Sequence, residues 1–141
     1  MKTKARSKKK VVQEVEEKKP KKLQEKHFEI YKAECDKWIK IVGLGNWFIT
    51  YNQHDFENTE NLGEVEYVVE DRIATIYLNS DYSDKDPTEE EIRRAAFHEV
   101  WELVLGRMNN LSQLRFCNES EINDSRHEII RILENVLWPK Y

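Results

Sequence analysis

The chain has no apolar run near the roughly 18–20 residues of a membrane span, no C-x-x-C pair and no glycine-rich phosphate loop. The first absence excludes a transmembrane helix. The lysine-rich start also lacks the apolar stretch of a secretory signal, so the expected location is the cytoplasm in which the protein is made. Only two cysteines are present, Cys35 and Cys117, too far apart in sequence to form a local metal knuckle. Both are expected to be free, reduced and packed. There are no internal repeats, and without a glycine-rich loop nothing suggests a nucleotide cradle.

Charge, by contrast, is abundant and unevenly placed. The 141 residues leave room for one domain and a tail. Residues 1–22 hold ten Lys or Arg against three Glu, a net of +7. Residues 23–141 hold thirteen basic and twenty-four acidic groups, a net of −11. Apart from Val11, Val12 and Val15 the tail has little apolar content and is expected to be disordered. It reads first as a solubilising tail that folds back on an acidic domain. Weak nucleic-acid contact is the second reading, disfavoured because the tail carries no aromatic residue on which a base could stack.

Within residues 23–141 the pattern predicts an α+β domain: an N-terminal helix, a small three-stranded sheet, then two helices. Residues 23–42 form an amphipathic helix with Ile30, Tyr31, Glu34 and Trp38 on broadly one side, stopped by Gly43 and Gly45. Strands are predicted at 47–51, 64–69 and 72–78, with Glu70-Asp71 as a tight turn between the last two. On the third strand Ala74, Ile76 and Leu78 share one face, and Ile73, Thr75 and Tyr77 the other.

The next helix carries the chemistry. Thr88 and Glu91 make a capping box after Pro87, and Gly106 is a plausible stop, with room for one more turn. From Ile92 to Leu105 apolar side chains cover nearly the whole circumference, which predicts a helix buried in the core. Within residues 95–105 only His98, Glu99 and Glu102 are polar, in one stripe. Residues four apart on a helix stand one above the other, about 5–6 Å apart at Cβ. His98 and Glu102 can therefore grip one metal ion while Glu99 faces a metal-bound water, as in the H-E-x-x-H helix of zinc proteases with its second His replaced. Burying these groups without partners would cost several kcal/mol, and a divalent cation would compensate them. The bland alternative is a solvent-facing polar stripe.

A second helix starts at Asn118 and runs to about Leu137, with Ile122, Ile129, Ile130, Leu133, Val136 and Leu137 as its expected core stripe. His127 lies at the border of that stripe and is the expected third ligand, with Glu134 two turns on to orient it. Glu128 falls well off the stripe. His27 and His54 are expected to be structural or at the surface; His54-Asp55 could hang near the cleft, although nothing in the spacing demands it.

Ala74-Thr75-Ile76-Tyr77-Leu78-Asn79, the run Glu91 to Leu105 and the run Arg126 to Glu134 together resemble the small phage- and prophage-encoded zincin-like metallopeptidases, a minimal gluzincin-type domain. The resemblance spans roughly residues 28–138 and departs from the wider pattern at Glu102, where that pattern has His. It implies a zinc-dependent hydrolase, in the host cytoplasm if phage-encoded, that takes a peptide or protein substrate along the strand at 72–78. On this expectation Zn²⁺, or Mn²⁺ or Fe²⁺, is held by His98, Glu102 and His127, and Glu99 is the general base. The rival expectation is a noncatalytic metal-binding or phage accessory module.

Overall fold

The computed structural model describes residues 23–56, 60–82 and 86–138; the basic tail at 1–22 lies outside them. The order is α1 (Leu23–Val42), β1 (Phe48–His54), β2 (Gly63–Val68), β3 (Ile73–Asn79), α2 (Glu89–Gln113) and α3 (Glu119–Leu137). This is the α+β layout expected from the sequence. None of the described helices is long and apolar enough to cross a membrane.

α1 ends where Gly43 takes a φ of 78°, a left-handed conformation that costs glycine little. Its inner side buries Tyr31, Cys35 and Val42. Glu34 is buried there too and is held by three donors: Lys37 Nζ at 2.7 Å, Trp38 Nε1 at 2.9 Å and Arg93 of α2 at 2.8 Å. Burial alone would raise its pKa, but those donors outweigh it and hold the carboxyl below its ordinary value. The pair with Arg93 ties α1 to α2.

The strands lie in the order β1-β3-β2, with β3 parallel to β1 and antiparallel to β2. Ala74, Ile76 and Leu78 are buried beneath the helices. The opposite face is polar in its middle, where the Thr50 and Thr75 hydroxyls lie 3.0 Å apart and Tyr77 donates to Glu66 at 3.0 Å. The expectation that residues 72–78 would receive an extended peptide is corrected by this topology. β3 is central, both its edges are already paired, and the free edge beside the cleft belongs to β2.

α2 opens with the Thr88–Glu91 capping box and continues through Gly106 to Gln113. Gly106 is no stop signal. A Cβ there would lie 3.1 Å from the ring of Tyr67, so the glycine lets β2 approach the helix. Nor is α2 buried all round: Ile92, Ala96, Val100, Leu103 and Val104 enter the core, while Phe97 and Leu105 remain exposed.

α3 opens with a second capping box, Asn118 with Glu121. Its inward line is Ser125, Ile132 and Val136: Ser125 is buried, and the other two pack on the core. At 100° per residue Ile132 and Val136 each fall within about 20° of Ser125, on either side of it. Ile122, Ile130 and Leu137 of the expected stripe lie to one side and are exposed.

Candidate functional site

One wide cleft, about 1050 Å³, opens between α2 and the β2 edge of the sheet. From α2 it receives Ala95, His98, Glu99 and Glu102; its other wall comes from residues 54–56 and 60–65. That wall is anchored by Asn79, a buried side chain at the end of β3. Its amide donates to the Asn61 carbonyl at 2.8 Å, and its Oδ1 accepts from the backbone N–H of Phe56 at 3.2 Å and of Asp81 at 3.0 Å. The Asn79 N–H also donates to Leu62 O at 2.9 Å, and Ser80 N–H to His54 O at 3.0 Å. Two separate chain segments are thereby drawn to one strand end. The His54 ring packs edge-on to Tyr77, centroids 4.9 Å apart, and beside Phe56 at 5.0 Å.

His98, Glu99 and Glu102 share the cleft but not one environment. His98 Nε2 lies 3.1 Å from Glu102 Oε1, and both side chains are half exposed or more, at 68% and 50%. For these two the solvent-facing stripe holds. Glu99 instead turns inward, with 5% exposure. Its carboxyl rests against Gly63, where a Cβ would lie 3.0 Å from Oε1 and 2.6 Å from the Tyr31 hydroxyl. Burial pushes the Glu99 pKa up to about 8, and the negative charges of Glu102 and Glu64 push the same way. At neutral pH the group is therefore mainly a carboxylic acid, a hydrogen-bond donor in a negatively charged surround.

His127 does not line this cleft. It is exposed, and its Nδ1 lies 2.8 Å from the Asn123 carbonyl, one turn back on its own helix. The cause is its azimuth: two residues on from buried Ser125, it lies about 200° round α3, on the side away from the core. Glu134 lies at about 180° and is exposed as well. Glu128, read from sequence as facing water, instead pairs with Arg107 of α2 at 3.3 Å. Among the described residues no group of three or more His, Cys, Asp or Glu side chains could hold a metal ion. The zinc-dependent metallopeptidase expected from the sequence, with Zn²⁺ on His98, Glu102 and His127 and Glu99 activating its water, is thereby corrected. The noncatalytic metal-binding alternative loses its ligand set for the same reason.

Of the carboxylates facing α2, the sequence pattern offers only Asp55 as a neighbour of the cleft. Glu64 sits on β2, and Asp55 and Glu60 flank the connection between β1 and β2. Only the strand register brings them opposite Glu99. Set against protein-family models, curated proteins and solved structures, the chain matches none.

Proposed function

We propose that this protein is a binding module whose cleft takes an extended, lysine- or arginine-bearing peptide segment. The observation that carries the reading is the Glu99 carboxyl, raised to about 8 by its burial and by Glu102 and Glu64 around it. Burial supplies the larger part of that rise, and the Glu102 and Glu64 carboxylates add a repulsion of the same sign. Five carboxyl groups, Asp55, Glu60, Glu64, Glu99 and Glu102, reach the described walls of the cleft, and no lysine or arginine does. An incoming ammonium or guanidinium would relieve that repulsion and draw the proton off Glu99. The free edge of β2 along the same cleft can add an extended backbone by strand pairing, with the carboxylates selecting its side chains. The mouth is open, and a peptide fits it better than a small enclosed ligand would.

The test is calorimetric titration of octalysine into the full chain at pH 7, run in two buffers of different ionisation enthalpy. One-to-one binding is expected, with release of a fraction of a proton from Glu99 and a loss of affinity as salt is raised. Glu64→Gln and Glu102→Gln should each weaken binding several-fold, and octaglutamate should not bind. Absence of binding, or equal affinity in both variants and the parent, overturns the reading.

A further inference from the structure

A second cavity, about 460 Å³, lies at the opposite end of the sheet from the acidic cleft. The cleft sits by His54 and Gly63, whereas this cavity sits by Trp47, Val69 and Arg72, one strand length or roughly 20 Å away. Unlike the first it is lined by arginines, with Glu70 and Glu128 also on its wall. Three arginines line it from three separate elements: Arg72 from the β2–β3 turn, Arg107 from α2 and Arg131 from α3. Arg107 is engaged with Glu128 at 3.3 Å. Arg72 and Arg131 make no side-chain hydrogen bond or ion pair with any described residue.

The backbone at Arg72 supplies an independent observation. Its N–H closes the turn on the Val69 carbonyl at 3.2 Å, and its carbonyl accepts from Phe48 N–H at 2.8 Å, joining β1 to the hairpin. Its φ is 53°, the only positive value at a non-glycine residue among those described. At this position of a tight hairpin glycine is the unstrained residue. The chain places an arginine there and accepts a strained backbone, and that arginine lines the cavity. An arginine kept in that conformation on a cavity wall is grounds for a functional hypothesis.

We propose that this cavity binds a phosphate-bearing small ligand through the guanidinium groups of Arg72, Arg107 and Arg131. Planar guanidiniums meet phosphate oxygens two at a time, so three on one cavity wall, each from a different element, suit a tetrahedral anion. Trp47, on the cavity wall, would report occupancy through its fluorescence.

The probe is pyrophosphate, titrated into the full chain by calorimetry and by tryptophan emission. One-to-one binding is expected. Arg131→Ala should weaken it at least tenfold. Arg72→Gly should weaken it comparably while leaving the fold at least as stable by thermal melting, because the left-handed backbone suits glycine. Glu128→Gln, which frees Arg107, should tighten it. Adenosine monophosphate binding more tightly than inorganic phosphate would place a nucleoside beside the phosphate; equal affinity would assign the site to the phosphate alone. No isotherm, or affinity unchanged in Arg72→Gly and Arg131→Ala, overturns the proposal.

Discussion

Gly63 and Glu99 meet across the seam between β2 and α2, so closely that a Cβ on Gly63 would stand 3.0 Å from Glu99 Oε1. The same Cβ would lie 2.6 Å from the hydroxyl of Tyr31, which is fully buried and donates to the Tyr77 carbonyl at 3.0 Å. One missing methyl group thus lets a helix, a strand and the buried acid of the cleft come together. Gly63→Ala must displace the tyrosine hydroxyl or move the strand, at an expected cost of about 2–3 kcal/mol. Urea unfolding measures it. Tyr31→Phe removes the obstructing oxygen, so the double variant should be more stable than the sum of the two single losses implies. Simple additivity would contradict the contact.

Glu99 should make the fold pH-sensitive in an unusual sense. Its folded pKa of about 8 lies above the ordinary value of about 4.3 expected for the unfolded chain. Between those values the folded state holds a proton that the unfolded state has released. Stability therefore falls as pH rises from about 4.5 to 8 and loses nothing further from this group above that. Glu99→Gln keeps the shape and removes the titration. It should be close to the parent at pH 4.5 and more stable at pH 9, by on the order of 2–4 kcal/mol after allowance for residual solvent screening. Parallel melting curves for the two proteins across pH 4.5–9 would show that Glu99 is not held as an acid.

Glu34 behaves in the opposite direction. Its lowered pKa means that its contribution is complete above the ordinary carboxylate range and is lost as pH falls through the folded value. Glu34→Ala leaves the Trp38 indole N–H and the Arg93 guanidinium without their acceptor, and both stand at the α1–α2 seam. A loss of about 1–3 kcal/mol is expected at pH 7, shrinking toward pH 3. Chemical denaturation at the two pH values gives both numbers. A loss of equal size at both would mean that packing, and not the carboxylate, holds the seam.

The elements that could be read from sequence are those with local causes. Thr88 with Glu91 and Asn118 with Glu121 mark two helix starts, and the alternation of Ala74, Ile76 and Leu78 marks the buried face of β3. His98 and Glu102 meet because a helix puts residues four apart together. What sequence could not give depends on distant partners. The parallel pairing of β1 with β3 leaves no local trace, yet it makes β3 central and hands the free edge to β2. Gly106 looks like a helix end until Tyr67 is seen against it. α3 carries more apolar residues than its seat can cover, so the stripe of Ile122, Ile130 and Leu137 pointed to the wrong azimuth. That difference of about 105° from the Ser125 line puts His127 at the border of the apolar stripe while its side chain faces away from the core. Glu60 and Glu64 were legible as acids but not as neighbours of Glu99.

The corrected position of His127 makes a prediction of its own. The core of Tyr31, Ile76, Leu78, Ile92, Val100 and Leu103 is continuous and closes without contribution from His127, which is exposed and hydrogen-bonds the Asn123 carbonyl of its own helix turn. His127→Ala should therefore change stability by no more than about 0.5 kcal/mol, the usual range for a surface substitution. For the same reason excess EDTA should leave the melting temperature of the full chain unchanged, since a site that held the fold through a metal would lose its binding energy on chelation. The two experiments bear on one another. A large drop with EDTA that His127→Ala reproduces would mean that α3 turns His127 inward to complete a metal site, and the azimuth set by Ser125, Ile132 and Val136 would have to be abandoned.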